Sequence, residues 1–296
     1  MKIKKKQRKG ILLAGGSGTR LHPLTSCTSK QILPVFDKPM IYYPLTTLML
    51  SGIKEILVIS SPRDLPNFKN LLGDGRNLGL RIEYEEQLSP NGIAEAFLIG
   101  EAFIGNSPSA LILGDNLFYF QGMRDFLQNA SQQIKGSTIF GYYVNNPSNY
   151  GVVSFTETGE VQEIVEKPKS TKSNYAVTGL YFYDSDVVEI AKSLTPSERG
   201  ELEITDINKA YLNRGSLDVK IFSRGTAWLD MGNPKHLLDA ANFVRIVEER
   251  QGLKIGCPEE TALRMAYINK NQLTEIIKPI ENSDYGLYLK MVSESV

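Results

Sequence analysis

A short apolar run that leads straight into a cluster of glycines constrains this chain more than any other feature. Residues 11–14 read Ile-Leu-Leu-Ala without polar alternation, which is typical of a strand buried on both faces of a parallel sheet. Three of the next four residues are glycines; they allow a sharp turn and let an anion approach the backbone N–H groups. Arg20 and Lys30 follow as available cations. The stretch therefore predicts a phosphate-binding loop.

Two common glycine motifs do not account for this loop. From Gly16 the chain reads G-S-G-T-R-L, so the third glycine of the dinucleotide-binding fingerprint is missing. The P-loop string G-x-x-x-x-G-K-[ST] does not follow the strand either. At this level a glycine-rich turn that binds no ligand stays open as an alternative.

Composition argues against several classes of protein. Of the 296 residues, 42% are hydrophobic, which is ample for a full core. Basic and acidic residues number 33 each, which argues against a nucleic-acid partner along the whole chain. The two cysteines, Cys27 and Cys257, form neither a metal motif nor a disulfide framework. We interpret Cys27, near the glycine loop, as a small buried apolar residue rather than a reactive thiol.

The first nine residues carry six positive charges. We interpret them as a solvated, frayed terminus rather than an arm that binds nucleic acid or a membrane. The apolar h-region of an ordinary signal peptide does not follow them, and no stretch reaches the length of a membrane span. We therefore expect a cytosolic protein with no nucleic-acid or membrane partner.

Strand and helix patterns alternate along the first half of the chain. Apolar runs predict buried strands over 55–60 and 110–113, and a more polar strand covers 81–86. Helical patterns lie over 39–52 and 93–103. This alternation predicts an α/β fold with a doubly wound, mostly parallel (mixed) sheet of Rossmann-like type. Ligands of such sheets bind beyond the carboxyl ends of the strands.

After residue 136 the pattern becomes rich in strands. A strand is predicted over 137–144, and a hairpin with a glycine turn is predicted over 149–167. A helix is predicted over 203–212, and another begins at Pro234 with one apolar face. The remaining residues predict a helical tail that offers apolar area to another subunit.

Two aspartates stand at predicted strand ends. Asp115 follows the buried strand 110–113, where a carboxylate is unfavourable unless it is paired or binds a metal. Asp230 follows a short strand that ends at Leu229. Both are candidate ligands of Mg²⁺, which binds one or two carboxylates together with substrate phosphates; Asp115 as a simple turn residue is the alternative. His22 and His236 are too few and too far apart in sequence to predict a metal cluster.

Longer strings carry a family resemblance. L-A-G-G-S-G-T-R-L at 13–21, followed by S-K-Q at 29–31, resembles the signature of the sugar-nucleotidyltransferases, the pyrophosphorylases that join a sugar 1-phosphate to a nucleoside triphosphate. The resemblance extends to about residue 288 and includes L-G-D-N at 113–116 and E-K-P at 166–168. Within that family the chain is similar to the members that use dTTP and glucose 1-phosphate.

The resemblance implies an organisation and a set of partners. Residues 1–9 are a basic N-terminal extension, residues 10–252 the α/β nucleotidyltransferase domain with a sugar-binding portion at about 137–225, and residues 253–296 a helical tail that makes subunit contacts. The implied reaction joins dTTP and glucose 1-phosphate to give dTDP-glucose and pyrophosphate. The implied cofactor is Mg²⁺, and the implied assembly is a homotetramer built as a dimer of dimers.

Carried over residue by residue, the resemblance also implies the site. The catalytic residues are Arg20, Lys30 and Lys167, and the metal ligands are Asp115 and Asp230. The nucleotide-binding residues are Leu13, Gly15, Gly16, Ser17, Gly18, Thr19, Arg20, Gln31, Gln87, Pro90 and Gly92. The residues that bind the sugar phosphate are Leu113, Asn116, Tyr150, Gly151, Glu166, Lys167, Val177, Thr178, Tyr181 and Arg199.

Two of these assignments have ordinary alternatives. The amide of Gln87 suits a pyrimidine edge because it offers both donors and an acceptor, but the segment that it begins also fits a plain Pro-Asn-Gly turn. Glu166 would accept hydrogen bonds from sugar hydroxyls, and Lys167 would contact the sugar phosphate. A neighbouring Glu-Lys pair is also common on a solvated strand edge.

Four residues depart from the pattern of the family. Leu88 and Asn91 stand where relatives usually have Pro and Asp, and we retain the base-recognition assignment of their segment. Met231 replaces a usual Thr and so removes a hydroxyl beside a metal ligand. Phe120 replaces a usual Gly in a region tied to feedback binding of nucleotide or end product. We expect catalysis to tolerate both Met231 and Phe120. Feedback inhibition is less certain to be retained than catalysis.

Three other functions stay open at the level of sequence. The first is another pyrimidine or sugar specificity within the same family. The second is a Rossmann oxidoreductase, which the missing third glycine disfavours. The third is a nucleotide sensor without turnover, which the intact pair Asp115 and Asp230 disfavours.

Overall fold

One nine-stranded sheet forms the centre of the molecule. The structure is a computed structural model that describes residues 7–16 and 18–295. The strands in chain order are β1 (Lys9–Leu13), β2 (Pro34–Val35), β3 (Lys38–Pro39), β4 (Glu55–Ser60), β5 (Arg81–Glu86), β6 (Ser109–Leu113), β7 (Asn116–Tyr119), β8 (Ser137–Tyr143), β9 (Gly151–Phe155), β10 (Val161–Glu166), β11 (Tyr175–Tyr183), β12 (Leu217–Ile221) and β13 (Ala227–Asp230).

Eleven α-helices accompany these strands in the described residues. They are α1 (Tyr42–Leu50), α2 (Leu65–Leu72), α3 (Glu95–Ile99), α4 (Glu101–Ile104), α5 (Met123–Gln132), α6 (Val187–Lys192), α7 (Ile204–Asn213), α8 (Pro234–Gln251), α9 (Pro258–Arg264), α10 (Lys270–Ile277) and α11 (Asp284–Ser295). Within the described part of the chain, no helix combines the length and the apolar character that a membrane crossing requires.

The sheet is parallel in one half and antiparallel in the other. Strands β5, β4, β1 and β6 run parallel in that order, as the alternation of strands and helices predicts. Strand β11 then pairs antiparallel with β6, β8 and β9. The prediction of a mixed α/β sheet is confirmed. The strands of residues 137–225 extend this same sheet, because β11 joins them directly to β6.

Two apolar layers cover the faces of the sheet. Alternate residues of the buried strands enter opposite layers, so Leu12 belongs to one cluster and Ile11 to the other. The C-terminal helices α9 to α11 complete the first layer with residues such as Leu263 and Leu289. The prediction of a helical tail is therefore confirmed, and much of its apolar area is already buried within the chain.

Several boundaries differ from the sequence-based predictions. The helix predicted from residue 39 begins at Tyr42, because Lys38 and Pro39 pair with β2 in a small hairpin. The helix predicted over 93–103 is divided at Gly100, which packs closely against Leu57 and Ile11 of the sheet. Strand β7 was not predicted at all; it is four residues long and follows Asp115 immediately.

The two cysteines occupy different environments. Cys257 is buried, and its Sγ lies 3.2 Å from the Tyr285 hydroxyl. Burial raises the pKa of the Cys257 thiol well above its ordinary value. The prediction for Cys27 is wrong: it is exposed, because the loop between Leu21 and Ser29 runs over the surface instead of packing beneath the sheet.

Arg8 is buried, contrary to the interpretation of residues 1–9 as a solvated terminus; residues 1–6 of that segment lie outside the described residues. Its guanidinium donates hydrogen bonds to the carbonyl oxygens of Ser109 at 2.6 Å, Tyr183 at 2.7 Å and Ser131 at 3.1 Å, and also to that of Gln133. Burial lowers the pKa of Arg8 to about 10. The N–H groups of the Arg8 guanidinium thus join β6, β11 and the end of α5.

Replacing Arg8 is therefore expected to destabilise the fold. In Arg8→Ala, several buried carbonyls lose a charged donor, and we expect the free energy of unfolding to fall by about 3 kcal/mol. Urea denaturation followed by circular dichroism measures this change. Arg76→Ala is the matched control, since Arg76 is almost fully exposed and its removal should change stability by less than about 0.5 kcal/mol. Equal stability of the two variants would contradict a structural role for Arg8.

Candidate active site

The carboxyl ends of β1 and β6 define the location of the candidate site. The two strands are parallel neighbours, with Leu13 opposite Leu113, so the glycine loop and Asp115 leave the sheet side by side. The backbone N–H of Gly114 donates to the Leu13 carbonyl at 2.9 Å. The structure thus brings the predicted phosphate loop next to the first predicted metal ligand. Ser17 of that loop lies outside the described residues.

Pairing of β7 with β13 brings the second aspartate to the same place. Asn116 lies directly opposite Asp230 in this antiparallel pair. The backbone N–H of Met231 donates to the Asp115 carbonyl at 2.9 Å. Asp115 and Asp230 consequently line one cavity of about 500 Å³, although 115 positions separate them in sequence. Arg20 and Lys167 line the same cavity.

Lys30 neutralises Asp115. Its Nζ lies 2.5 Å from Asp115 Oδ2, and Asn116 Nδ2 donates to Asp115 Oδ1 at 3.0 Å. Burial alone raises the pKa of the Asp115 carboxyl, but the Lys30 charge and these hydrogen bonds outweigh it, so the pKa lies below its ordinary value. Asp115 is therefore held ionised. Lys30 does not itself line the cavity and reaches the site through this contact.

Asp230 has different partners. Its Oδ1 accepts a hydrogen bond from the Tyr150 hydroxyl at 3.2 Å and lies 3.0 Å from His236 Nδ1. Burial raises the pKa of Asp230, and although His236 opposes this effect, the negative charge of Asp115 adds to it, so the pKa lies above its ordinary value. Burial and Asp230 together raise the pKa of the Tyr150 hydroxyl.

Sequence reasoning did not assign His236 to the site. It lies in the first turn of α8, and its backbone N–H donates to the side chain of Asn233, which caps that helix. The cap places the imidazole over the end of β13, where Nδ1 is also 3.1 Å from the Asp230 carbonyl oxygen. The signal available in the sequence was the short spacing D-M-G-N-P-K-H after the strand, in which an Asn-Pro pair starts a helix.

The other end of the cavity is formed by the hairpin β9–β10. Glu166 ends β10, and its Oε2 accepts a hydrogen bond from Thr205 Oγ1 at 2.5 Å. Lys167 has a positive φ of 41°, a strained conformation for a non-glycine residue, and it projects from the hairpin with its side chain partly exposed. Gly151 lies close to both Glu166 and Thr205. This end therefore presents a carboxylate and a cation to one ligand.

Most of the predicted sugar-phosphate residues meet in this cavity, but two do not. Leu113, Asn116, Tyr150, Gly151, Glu166, Lys167, Val177 and Tyr181 line it. Thr178 does not, because its neighbours Val177 and Gly179 on β11 face the cavity and Thr178 is fully buried between them. Arg199 also lies outside the lining, and its guanidinium is 2.9 Å from carboxylate oxygens of both Glu201 and Glu203.

Several of the predicted nucleotide-binding residues pack against the glycine loop or against one another. Gln87 follows β5 and is buried against Gly15, where a Cβ would collide with the Gln87 side-chain oxygen. Gln31 Nε2 lies 3.4 Å from the Gly15 carbonyl oxygen. Gly92 has a φ of 114°, and a Cβ there would collide with the backbone of Leu202. Leu13 ends β1, Gly16, Gly18 and Thr19 follow it, and Pro90 is exposed.

Two of the four residues that depart from the family pattern, Met231 and Phe120, lie outside the cavity. Met231 is fully buried in an apolar cluster with Leu117 and Val244, so its side chain does not reach the ligand space. Phe120 packs edge-on against Phe126 and Phe222, with ring centroids 5.4 Å apart in both pairs. It borders a second cavity of about 330 Å³.

The donor set of the site suits a metal that is shared with a ligand. Among the described residues, no group of three or more His, Cys, Asp and Glu side chains could hold a metal ion. The pair Asp115 and Asp230 supplies two carboxylates at one end of an open cavity. Mg²⁺ takes few protein ligands and completes its shell with phosphate oxygens and water. The residues present therefore fit Mg²⁺ if a phosphate ligand is bound with it.

Comparisons with known proteins agree with this geometry. A family model described as nucleotidyl transferase matches residues 9–246. A glucose-1-phosphate thymidylyltransferase of Xanthomonas campestris pv. campestris (strain B100) is 52% identical over 288 residues, which are 97% of this chain and 98% of the relative. One from Mycobacterium tuberculosis (strain CDC 1551 / Oshkosh) is 56% identical over 281 residues, covering 95% of this chain and 97% of the relative.

A solved structure shows the same architecture. A crystal structure from Bacillus anthracis, assigned by name to the glucose-1-phosphate thymidylyltransferases and containing sucrose, superposes with a TM-score of 0.75 at 40% identity. The alignment covers 80% of this chain and 95% of that one. The predicted family and enzyme class are thereby confirmed: the chain belongs to the nucleotidyl transferase family.

Proposed function

We propose that the chain joins dTTP and α-D-glucose 1-phosphate to give dTDP-glucose and pyrophosphate, in the cytosol and with Mg²⁺. The observation that carries this proposal is the single cavity that holds Asp115, Asp230, Arg20 and Lys167 beside a glycine loop. Relatives that are more than half identical over nearly their whole length are named for this reaction. We also assign the sugar-binding portion to residues 137–225.

The reaction requires two polyanions to meet. A phosphate oxygen of glucose 1-phosphate attacks the α-phosphorus of dTTP in line; the new P–O bond forms as the bond from the α-phosphorus to the bridging oxygen breaks, and pyrophosphate leaves with the electron pair. No general base is needed, because the nucleophile is already an anion. Catalysis then depends on positioning and on charge stabilisation.

Different residues of the chain bind the two substrates and stabilise the charge that develops. Arg20 and the N–H groups of the glycine loop bind the triphosphate and stabilise the departing charge. Lys167 contacts the phosphate of the sugar, and Glu166 accepts hydrogen bonds from sugar hydroxyls. Lys30 keeps Asp115 ionised and in place. Asp115 and Asp230 would hold Mg²⁺, which would neutralise negative charge on the phosphates as pyrophosphate leaves.

The function is tested by following pyrophosphate release. With dTTP, glucose 1-phosphate and Mg²⁺ we expect turnover. We expect none after the divalent cation is removed with EDTA, because the phosphates would then face Asp230 and Asp115 without the divalent charge that offsets their repulsion. Parallel incubations with UTP, other sugar 1-phosphates and NAD⁺ separate the alternative functions. Release with none of the triphosphates would contradict the proposal, and equal rates with UTP would broaden it.

Lys167→Ala is expected to lower kcat by about a hundred- to a thousandfold, since one oriented charge contact in the transition state is lost. The fold should persist, because Lys167 is exposed and alanine at a positive φ is strained no more than lysine. Steady-state kinetics and thermal unfolding measure the two properties. Lys169→Ala, two residues further along the same loop and also exposed, is the control. A near-normal rate in Lys167→Ala would remove Lys167 from the mechanism.

We further propose a homotetramer in which the helical tail, residues 253–296, contributes subunit contacts. Leu287 and Met291 lie one turn apart on α11 and are both about half exposed, so they form an apolar stripe that another subunit can cover. Size-exclusion chromatography with light scattering should report four chains. Leu287→Glu with Met291→Glu should weaken the assembly, and a monomeric wild-type protein would contradict the proposal.

A further inference from the structure

The side-chain amide of Gln87 is held on one side by Glu95. Gln87 Nε2 donates a hydrogen bond to Glu95 Oε2 at 2.7 Å and lies 3.5 Å from the Gly92 carbonyl oxygen. Glu95 is in the first turn of α3, and its other oxygen, Oε1, accepts a hydrogen bond from Asn91 Nδ2 at 2.8 Å. Both oxygens of the carboxylate are therefore occupied and its plane is fixed.

This contact determines which way the amide points. A carboxylate only accepts hydrogen bonds, so the amide nitrogen of Gln87 must face Glu95 and the amide oxygen must face away from it. That oxygen, Oε1, points at Gly15, where a Cβ would collide with it. No residue that the structure describes donates a hydrogen bond to Gln87 Oε1. Within the described part of the chain, Gln87 Oε1 is thus an acceptor without a donor, and it lies against Gly15 of the phosphate loop.

We propose that Glu95 is a specificity-determining positioning residue: by fixing the amide of Gln87, it selects pyrimidines that carry a donor at N3 over those that carry an acceptor there. The inference rests on the proposed function, in which Gln87 contacts the base. Thymine and uracil carry N3–H between two carbonyl groups, so N3–H can donate to Gln87 Oε1. Cytosine has a lone pair at N3, which would face the lone pairs of that oxygen.

The selection works by exclusion as well as by attraction. If the amide of Gln87 were free to rotate by half a turn, its NH₂ group could donate to N3 of cytosine, and the site would accept either base. With Glu95 in place, that rotation would bring the amide oxygen against a carboxylate. Cytosine therefore either sets its N3 lone pair against the amide oxygen of Gln87 or forces a rotation that brings this oxygen against the Glu95 carboxylate. Both arrangements are repulsive.

Glu95→Gln tests the proposal. The variant side chain can both donate and accept, so it no longer dictates the orientation of Gln87. We expect the ratio of kcat/KM for dTTP to that for dCTP to fall by at least about tenfold, while the KM for glucose 1-phosphate and the thermal midpoint stay unchanged. Glu101→Gln is the control, because Glu101 begins the next helix, is exposed and pairs with Lys192; its ratio should equal that of the wild type.

An unaltered dTTP-to-dCTP ratio in a folded, active Glu95→Gln protein would overturn the proposal. A second measurement does not depend on that variant. The wild-type protein should bind N3-methyl-dTTP at least about tenfold more weakly than dTTP in calorimetric titrations, and equal affinities would also overturn it. These titrations need no turnover. Selective binding of dTTP without pyrophosphate release would therefore count against the proposed function and still support recognition of N3–H at this site; the same titrations on Glu95→Gln, in which the selectivity should fall, then test the role of Glu95.

Discussion

The site depends on two aspartates that are held next to each other although their charges repel. The antiparallel pairing of β7 with β13 enforces this proximity, because it sets Asn116 opposite Asp230. Each carboxylate has its own compensation: Lys30 contacts Asp115, while Tyr150 and His236 contact Asp230. Their pKa values consequently move in opposite directions, down for Asp115 and up for Asp230. A divalent cation between them would relieve the remaining repulsion.

Contacts behind the site keep this geometry. Met231 follows Asp230 and is buried with Val244 of α8 and Ile255 of the tail. These apolar contacts fix the end of β13. At the end of α8, Glu248 accepts hydrogen bonds from the buried Lys38 ammonium at 2.9 Å and from the Ile255 N–H at 2.8 Å. Removing one partner of such a buried ion pair strongly destabilises the folded protein, because the other charge is left buried and uncompensated. The C-terminal tail is therefore joined to the end of the cavity that contains Asp115 and Asp230 through a continuous set of contacts.

Local sequence patterns were sufficient to predict a site residue where it lies within a few residues of the strand that positions it. The glycine loop and Asp115 were predicted because each directly follows a buried apolar run. Asp230 was a candidate because it also follows a strand, but its proximity to Asp115 rested on the family resemblance, since no local pattern reports that a strand more than a hundred residues away pairs with β7. His236 was missed because its role depends on the start of α8 relative to β13.

Errors of prediction have the same origin. Val177 and Thr178 were both expected in the cavity, but adjacent residues of a strand face opposite sides, and only the position of β11 in the sheet decides which side is which. Arg8 was assigned to a solvated terminus from its basic neighbours. Its burial depends on carbonyl groups from β6, β11 and α5, which lie a hundred residues and more away along the chain. Long-range pairing, rather than local propensity, determined each of these outcomes.

One short segment connects the two ends of the candidate site. The backbone of Leu202 donates to the Asn91 carbonyl at 2.7 Å and accepts from the Ala94 N–H at 3.1 Å, which fixes the loop that precedes Glu95. Three residues later, Thr205 donates a hydrogen bond to Glu166, which lines the cavity. Arg199 is ion-paired with Glu203 within this segment, so it stabilises the connection even though it does not line the cavity. Because the segment contacts both, a displacement of the loop at residues 87–94 would also displace Glu166, the carboxylate proposed to bind the sugar.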